Sequence, residues 1–212
     1  MEIPKSKAKL SAVLLAGGKS SRMGQDKALL APKGIAMIRH SFNIASVLSE
    51  GVYVVTPWPE RYQEILPKNC RFVREEPLFG STETHGPLVG LLQGLDLVET
   101  TSEWVLVLAC DLPYLCLDVM ENWLNYLENS SEEIMAFLPK DERGWQPLCG
   151  FYRRRCTALM EEYIKEGGRS FQGWLQRVPV QELPLADRQI LFNCNTPEDL
   201  HKVSTESGLS FD

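Results

Sequence analysis

Little in this 212-residue chain suggests a metal or disulfide framework. Its six cysteines, Cys70, Cys110, Cys116, Cys149, Cys156 and Cys194, include no Cys-x-x-Cys pair, and its histidines, His40, His85 and His201, stand apart. That spacing argues against a zinc site and against a set of stapling bridges. Basic charge is also in deficit: 22 Lys and Arg against 28 Asp and Glu give a net charge of −6, the wrong sign for broad nucleic-acid binding. It still leaves room for a local cationic pocket. No segment is long and apolar enough for a membrane span. The apolar run behind Lys5, Lys7 and Lys9 ends at Gly17, too soon for a secretory core. A cytoplasmic protein without membrane contact is expected. Internal repeats and low-complexity tracts are missing too.

What remains is a globular composition, 44% hydrophobic, with enough length for one well-buried domain and too little for two. Short apolar runs alternate with helical patterns. This predicts an α/β fold, a doubly wound, mostly parallel sheet with helices on both faces. Expected strands are 11–16, 52–56, 71–74, 104–109, 134–138, 148–152 and 190–193. Expected helices are 36–48, 87–98, 117–128 and 156–165, the last stopped by Gly167-Gly168. A final helix begins at Thr196-Pro197-Glu198-Asp199, where threonine caps, proline suits the first turn and two carboxylates favour the positive helix end. Residues 1–9 and 204–212 read as flexible ends, and Phe79 to Thr84 as a mobile surface loop.

The most informative stretch follows the first strand: Leu15-Ala16-Gly17-Gly18-Lys19-Ser20-Ser21-Arg22-Met23-Gly24-Gln25-Asp26-Lys27. Glycines let backbone N–H groups approach phosphate oxygens, and cations neutralise what amides cannot. Two commoner phosphate loops are excluded. A Walker A loop needs a glycine where this chain has Val13, and the dinucleotide fingerprint needs Gly-x-Gly, whereas here the glycines are adjacent. The plainer alternative is a glycine turn with Arg22 and Lys27 as solvated charges.

Two further places carry chemistry. The apolar run Trp104 to Ala109 leads straight into Cys110-Asp111-Leu112-Pro113. A carboxylate at the tip of a buried strand is costly unless it meets a cation, and Mg²⁺ is the hard-oxygen candidate; capping of the next turn by Asp111 is compatible with that. In Phe192-Asn193-Cys194-Asn195-Thr196-Pro197, alternate strand residues share a face, so Asn193 and Asn195 are expected to point together at a polar acceptor. The competing possibility is a turn whose asparagines bond local backbone.

Leu15-Ala16-Gly17-Gly18, Ser21-Arg22-Met23-Gly24 and Asp26-Lys27 resemble the signature of the nucleotidyltransferases that include molybdenum cofactor guanylyltransferase. The Asp-x-Pro after the strand, Gly86-Pro87-Leu88 and the Asn-x-Asn-Thr-Pro-Glu-Asp run are similar to later motifs of that family, so the likeness extends from Leu15 to Leu200. It implies a single nucleotidyltransferase domain over 1–212, with GMP passing from GTP to Mo-molybdopterin. It implies Leu15, Ala16, Gly17, Gly18, Lys27, Glu76 and Asp111 at the nucleotide, and Arg22, Lys27 and Asp111 in catalysis. It also implies Asp111 on Mg²⁺ and Asn193 and Asn195 at the acceptor. Molybdoenzyme apo-proteins or cofactor chaperones are the implied partners. The family has an aspartate near Arg74-Glu75-Glu76 that contacts guanine; this chain offers Glu76, one methylene longer, with a solvated charge as the alternative reading. No catalytic role is assigned to Gly86-Pro87-Leu88. Three rivals stay open: a cytidylyl- or sugar-phosphate transferase of the same fold, a non-catalytic molybdopterin carrier, and an NAD-binding enzyme without the glycine fingerprint. Cytidylyl relatives tend to carry Leu-Ala-Ala-Gly where this chain has Leu15-Ala16-Gly17-Gly18.

Overall fold

In a computed structural model that describes residues 9–18, 23–77, 86–128 and 130–206, the first strand, β1 (Leu10–Leu15), lies at the centre of the sheet. All six of its residues are buried, as a strand covered on both faces demands. The other strands are β2 (Val52–Thr56), β3 (Arg71–Arg74), β4 (Trp104–Ala109), β5 (Ala136–Asp141), β6 (Gly144–Trp145), β7 (Cys149–Arg153) and β8 (Val180–Leu183). They run in the order β3-β2-β1-β4-β7-β5-β6, and β8 pairs with β5. Pairings β3–β2, β2–β1, β1–β4 and β5–β8 are parallel; β4–β7, β7–β5 and β5–β6 are antiparallel. The mostly parallel α/β sheet expected from the sequence is therefore present, with an antiparallel insertion on one side.

The helices are α1 (Met37–Leu48), α2 (Pro87–Leu97), α3 (Leu117–Glu128), α4 (Cys156–Lys165), α5 (Phe171–Leu175) and α6 (Pro197–Glu206). They cover both sheet faces and divide the core in two. On one face Ile38 and Phe42 of α1 and Met120 and Trp123 of α3 pack over Leu14, Val54 and Leu106. On the other, Leu88, Leu91 and Leu95 of α2 and Met160 of α4 pack over Val13, Val55 and Val107. Strand alternation sorts neighbouring residues onto these faces. Helix α2 comes close to the sheet because Gly94 has no side chain: a Cβ there would lie 2.8 Å from Val13 Cγ1 and 2.9 Å from Val55 Cγ2. Its N-cap, Gly86, has φ +88°, open to glycine at little cost, and Pro87 occupies its first turn.

One expected strand is not formed. Residues 190–193 were read as extended from the run Ile-Leu-Phe-Asn, yet Arg188–Leu191 is a 3₁₀ turn capped by Asp187, whose Oδ1 accepts the Gln189 N–H at 2.8 Å. Ile190 and Leu191 are adjacent and both buried in the same core, which a turn allows and a strand's alternation opposes. Val180–Leu183 and Phe171–Leu175 form a strand and a short helix that the sequence pattern did not announce. Ser204, expected at the start of a fraying tail, is a buried residue of α6, its Oγ donating to Leu200 O at 2.8 Å. The loop 79–84 and residues 207–212 lie outside the described residues.

Candidate active site

Parallel pairing brings the carboxyl ends of β1, β2, β3 and β4 to one edge, where ligands of doubly wound sheets bind. Ala16, Gly17 and Gly18 follow β1, Glu75 follows β3, and Cys110 and Asp111 follow β4. They surround a hollow of about 380 Å³, closed on one side by Gly86, Pro87 and Gly90 at the start of α2 and on another by Leu148 and Asn193. Leu15, Gly17, Gly18, Lys27 and Asp111 line it, whereas Ala16 is buried and outside the lining. Arg22 lies outside the described residues.

Lys27 owes its position to a short-range device. It opens a 3₁₀ helix, Lys27–Leu29, whose N-cap Asp26 accepts the Ala28 N–H through Oδ1 at 3.1 Å. Asp26 Oδ2 accepts from the Tyr62 hydroxyl at 2.8 Å and from Arg61 at 3.3 Å, which ties the loop to the segment after β2. Burial first, then the Asp26 carboxylate, pushes the Tyr62 hydroxyl far above its ordinary pKa, so it stays a donor. From that base the Lys27 side chain passes Gly18, where a Cβ would be 3.5 Å from Lys27 Cε. Its ammonium pairs with Asp111 Oδ2 and donates to Asn195 Oδ1 at 2.8 Å.

Asp111 is 6% exposed. Its Oδ1 is buried and, among the described residues, has no hydrogen-bond partner. An orphaned carboxylate oxygen of this kind is expensive and leaves an acceptor free for an external ligand. Hard oxygen chemistry suits Mg²⁺, which takes one or two carboxylates and draws its other ligands from phosphates and water. Among the described residues no cluster of three or more His, Cys, Asp or Glu is arranged to hold a metal, so an all-protein cage is not the arrangement here. Next door, burial and the Asp111 charge push the Cys110 thiol up to about 12, which removes it as a nucleophile.

Two groups of residues singled out in the sequence are arranged differently from the simplest expectation. Besides Asp111, the acidic side chain at the hollow is that of Glu75, whereas Glu76 is exposed and outside its lining. Glu76 engages Gln93 only through its backbone: its N–H donates to Gln93 Oε1 at 2.9 Å and its carbonyl accepts from Gln93 Nε2 at 2.7 Å. The reason is parity. The Glu75 N–H bonds Thr56 O at 3.0 Å, which extends the ladder past Arg74 and points Glu75 to the same face as buried Val73. That alternation was available in the sequence. Gly17 completes the fit, since a Cβ there would sit 2.6 Å from Glu75 Oε2. Gly86 and Pro87, noted in the sequence as part of a family motif without a catalytic role, also line the hollow, as does Gly90.

The second concerns Asn193 and Asn195, which lie outside any strand and do not point together. Asn193 Nδ2 donates to Leu191 O at 3.1 Å, while Asn195 turns to Lys27. Asn193 lies on the wall between the first hollow and a second of about 730 Å³, which Gln146, Arg143, Arg188, Asn195 and Lys202 help to line. Arg169 reaches neither; it donates to Ile164 O and Gly168 O.

The sequence model of a protein family described as "MobA-like NTP transferase domain" matches residues 12–180. The chain is 52% identical over 197 residues to a probable molybdenum cofactor guanylyltransferase of Trichormus variabilis, covering 93% of this chain and 91% of that protein. It is 41% identical to a probable molybdenum cofactor guanylyltransferase of Synechococcus elongatus, over 89% of this chain and 95% of the relative. Among solved structures, the molybdopterin-guanine dinucleotide biosynthesis protein A of Archaeoglobus fulgidus superposes with a TM-score of 0.74, at 22% identity, over 93% of this chain and 98% of the other. That last likeness concerns the fold.

Proposed function

We propose that this chain, a nucleotidyltransferase of the MobA-like NTP transferase family, transfers GMP from GTP to the phosphate of Mo-molybdopterin and releases pyrophosphate. The observation that carries the reading is the meeting of Lys27 and Asp111 in the lining of a glycine-walled hollow.

The acceptor is a phosphate monoester, with its second pKa near ~6, so at neutral pH it is already an anionic nucleophile. An acceptor phosphate oxygen attacks the α-phosphorus of GTP in line. The new P–O bond forms as the bond from the α-phosphorus to the β-phosphate oxygen breaks, and that electron pair leaves with pyrophosphate. No general base is needed, and none is nominated. The work left to the protein is to orient two anions and to offset charge where it develops.

Lys27 would serve the triphosphate and the departing pyrophosphate, because its ammonium carries donors only and its pair with Asp111 is within reach of the hollow. Asp111 would hold Mg²⁺ through its orphaned oxygen. That ion, when bound, would supply positive charge to offset the negative charge that develops on the phosphates. Gly17 and Gly18 would leave space for the nucleoside beside Leu15 and Ala16. Glu75 would accept from the guanine N1–H and N2–H₂ edge, taking the role that the sequence had suggested for Glu76. Arg22 stands as a second triphosphate cation on the strength of its motif alone. The adjoining hollow, with Asn193 on the shared wall, would take the acceptor.

Turnover with purified Mo-molybdopterin, Mg²⁺ and each of GTP, CTP and ATP, with products identified by mass, tests the reading. The guanine dinucleotide of the cofactor and one equivalent of pyrophosphate are expected with GTP, and little with the others. A cytidine product would move the protein to the cytidylyl rival. Cofactor binding without pyrophosphate would make it a carrier.

A further inference from the structure

The asparagine that sequence reasoning assigns to the acceptor stands in a different relation to the chemistry. We propose that Asn195 is a positioning residue for nucleotide capture: it aims the Lys27 ammonium at the triphosphate through its Oδ1. This rests on the nucleotide-site reading given above and deepens it.

Lys27 is the donor and Asn195 Oδ1 the acceptor of a 2.8 Å bond that joins residues 168 positions apart. Lysine offers three rotatable donors on a flexible stem, so its head needs external fixing if it is to meet a phosphate in one geometry. Asp111 holds the ammonium from one side and Asn195 from another. The two partners differ in kind. A second carboxylate would neutralise the cation that the triphosphate needs, whereas a neutral amide oxygen fixes its direction and leaves the charge in force.

Asn195 is itself anchored, as a positioning residue has to be. The preceding Cys194 is fully buried, and its N–H donates to the backbone oxygen of Asp111 at 3.0 Å, which registers this segment on the tip of β4. The N–H groups of Asn195 and Thr196 both donate to Asp199 Oδ2 at 2.9 Å, and the Asp199 N–H donates to Thr196 Oγ1 at 3.2 Å. This reciprocal cap fixes the start of α6. The Thr-Pro-Glu-Asp run therefore does more than start a helix: it holds the amide oxygen that holds Lys27.

The test is a double-mutant cycle read by Mg²⁺–GTP binding with no acceptor present, so that an acceptor contact has no influence on the result. Asn195→Ala is expected to raise the Kd for GTP about five- to tenfold, the scale of one ordinary hydrogen bond, since the loss reaches the nucleotide only through Lys27. In a Lys27→Ala background the same substitution is expected to add less than about twofold, because residues acting through one another are not additive. A wild-type Kd in folded Asn195→Ala overturns the proposal and returns Asn195 to the acceptor. An equal loss in the Lys27→Ala background overturns it in favour of a general structural role. If Asn195→Ala fails to fold, Asn195→Ser, polar but too short to reach Lys27, carries the same expectation. Should Lys27→Ala alone bind GTP like the wild type, both the nucleotide-site reading and this inference fall; normal weakening by Lys27→Ala with none by Asn195→Ala removes this inference only.

Discussion

Asp111→Ala is expected to give a folded protein whose kcat has fallen by about 10²–10³-fold, the range found when a group that offsets transition-state charge is removed. Two observations separate activity from stability at this position. The side chain's Oδ1 is buried without a partner among the described residues, so the folded protein gains little from it. The contact that registers the 193–196 segment uses the Asp111 backbone oxygen, which alanine keeps. Lys27 loses one partner, but its part-exposed head retains Asn195 and water. The thermal midpoint should therefore shift by a few degrees at most while turnover collapses. Initial rates at saturating GTP and Mg²⁺, with a melting curve of the same sample, measure both. Wild-type turnover in a folded variant would remove Asp111 from the chemistry.

Lys27→Ala should lower kcat/KM for GTP about 10²-fold, since one charge-assisted contact to phosphate is lost where charge also develops during transfer. Its effect on stability should be the opposite of mild. Removing the cation leaves the Asp111 carboxylate, with side-chain exposure of only 9%, facing the hollow with neither Oδ2 nor Oδ1 paired to this lysine. Stranding one member of a buried pair is far costlier than removing the orphan. Because the hollow opens to water, a loss of about 1–3 kcal/mol is expected rather than the full buried figure. The two alanine variants should thus differ in order: Asp111→Ala the more damaging to kcat, Lys27→Ala the more damaging to the fold. An unchanged kcat/KM for GTP in Lys27→Ala would contradict its assignment.

The legible parts of this molecule are those where one local rule decides. The apolar runs of β1 and β4 could only be covered strands, and the residues just past them had to lie at the ligand-binding edge. Thr196-Pro197-Glu198-Asp199 announced a helix start and makes one. Where two rules competed, the sequence misled. Ile190 and Leu191 looked like strand residues because they are apolar, but Asp187 caps a turn that buries both. Val180–Leu183 has two exposed polar residues at its centre and owes its extended form to parallel pairing with β5, which is invisible locally. Glu75 and Glu76 are chemically alike, and what decides which one meets Gly17 is the alternation of β3 carried one residue past Arg74, a legible rule whose reach past the strand end was not. The Lys27–Asn195 bond spans most of the chain and has no local signature at all.

The most direct measurement is a crystal structure of the protein soaked with Mg²⁺ and a non-hydrolysable GTP analogue. The expected density has the guanine against the wall that Gly17 and Glu75 form together, and the triphosphate beside Lys27 with the ion on Asp111 Oδ1. A purine seated away from the Gly17–Glu75 wall, with phosphates remote from Asp111, would contradict the site described here.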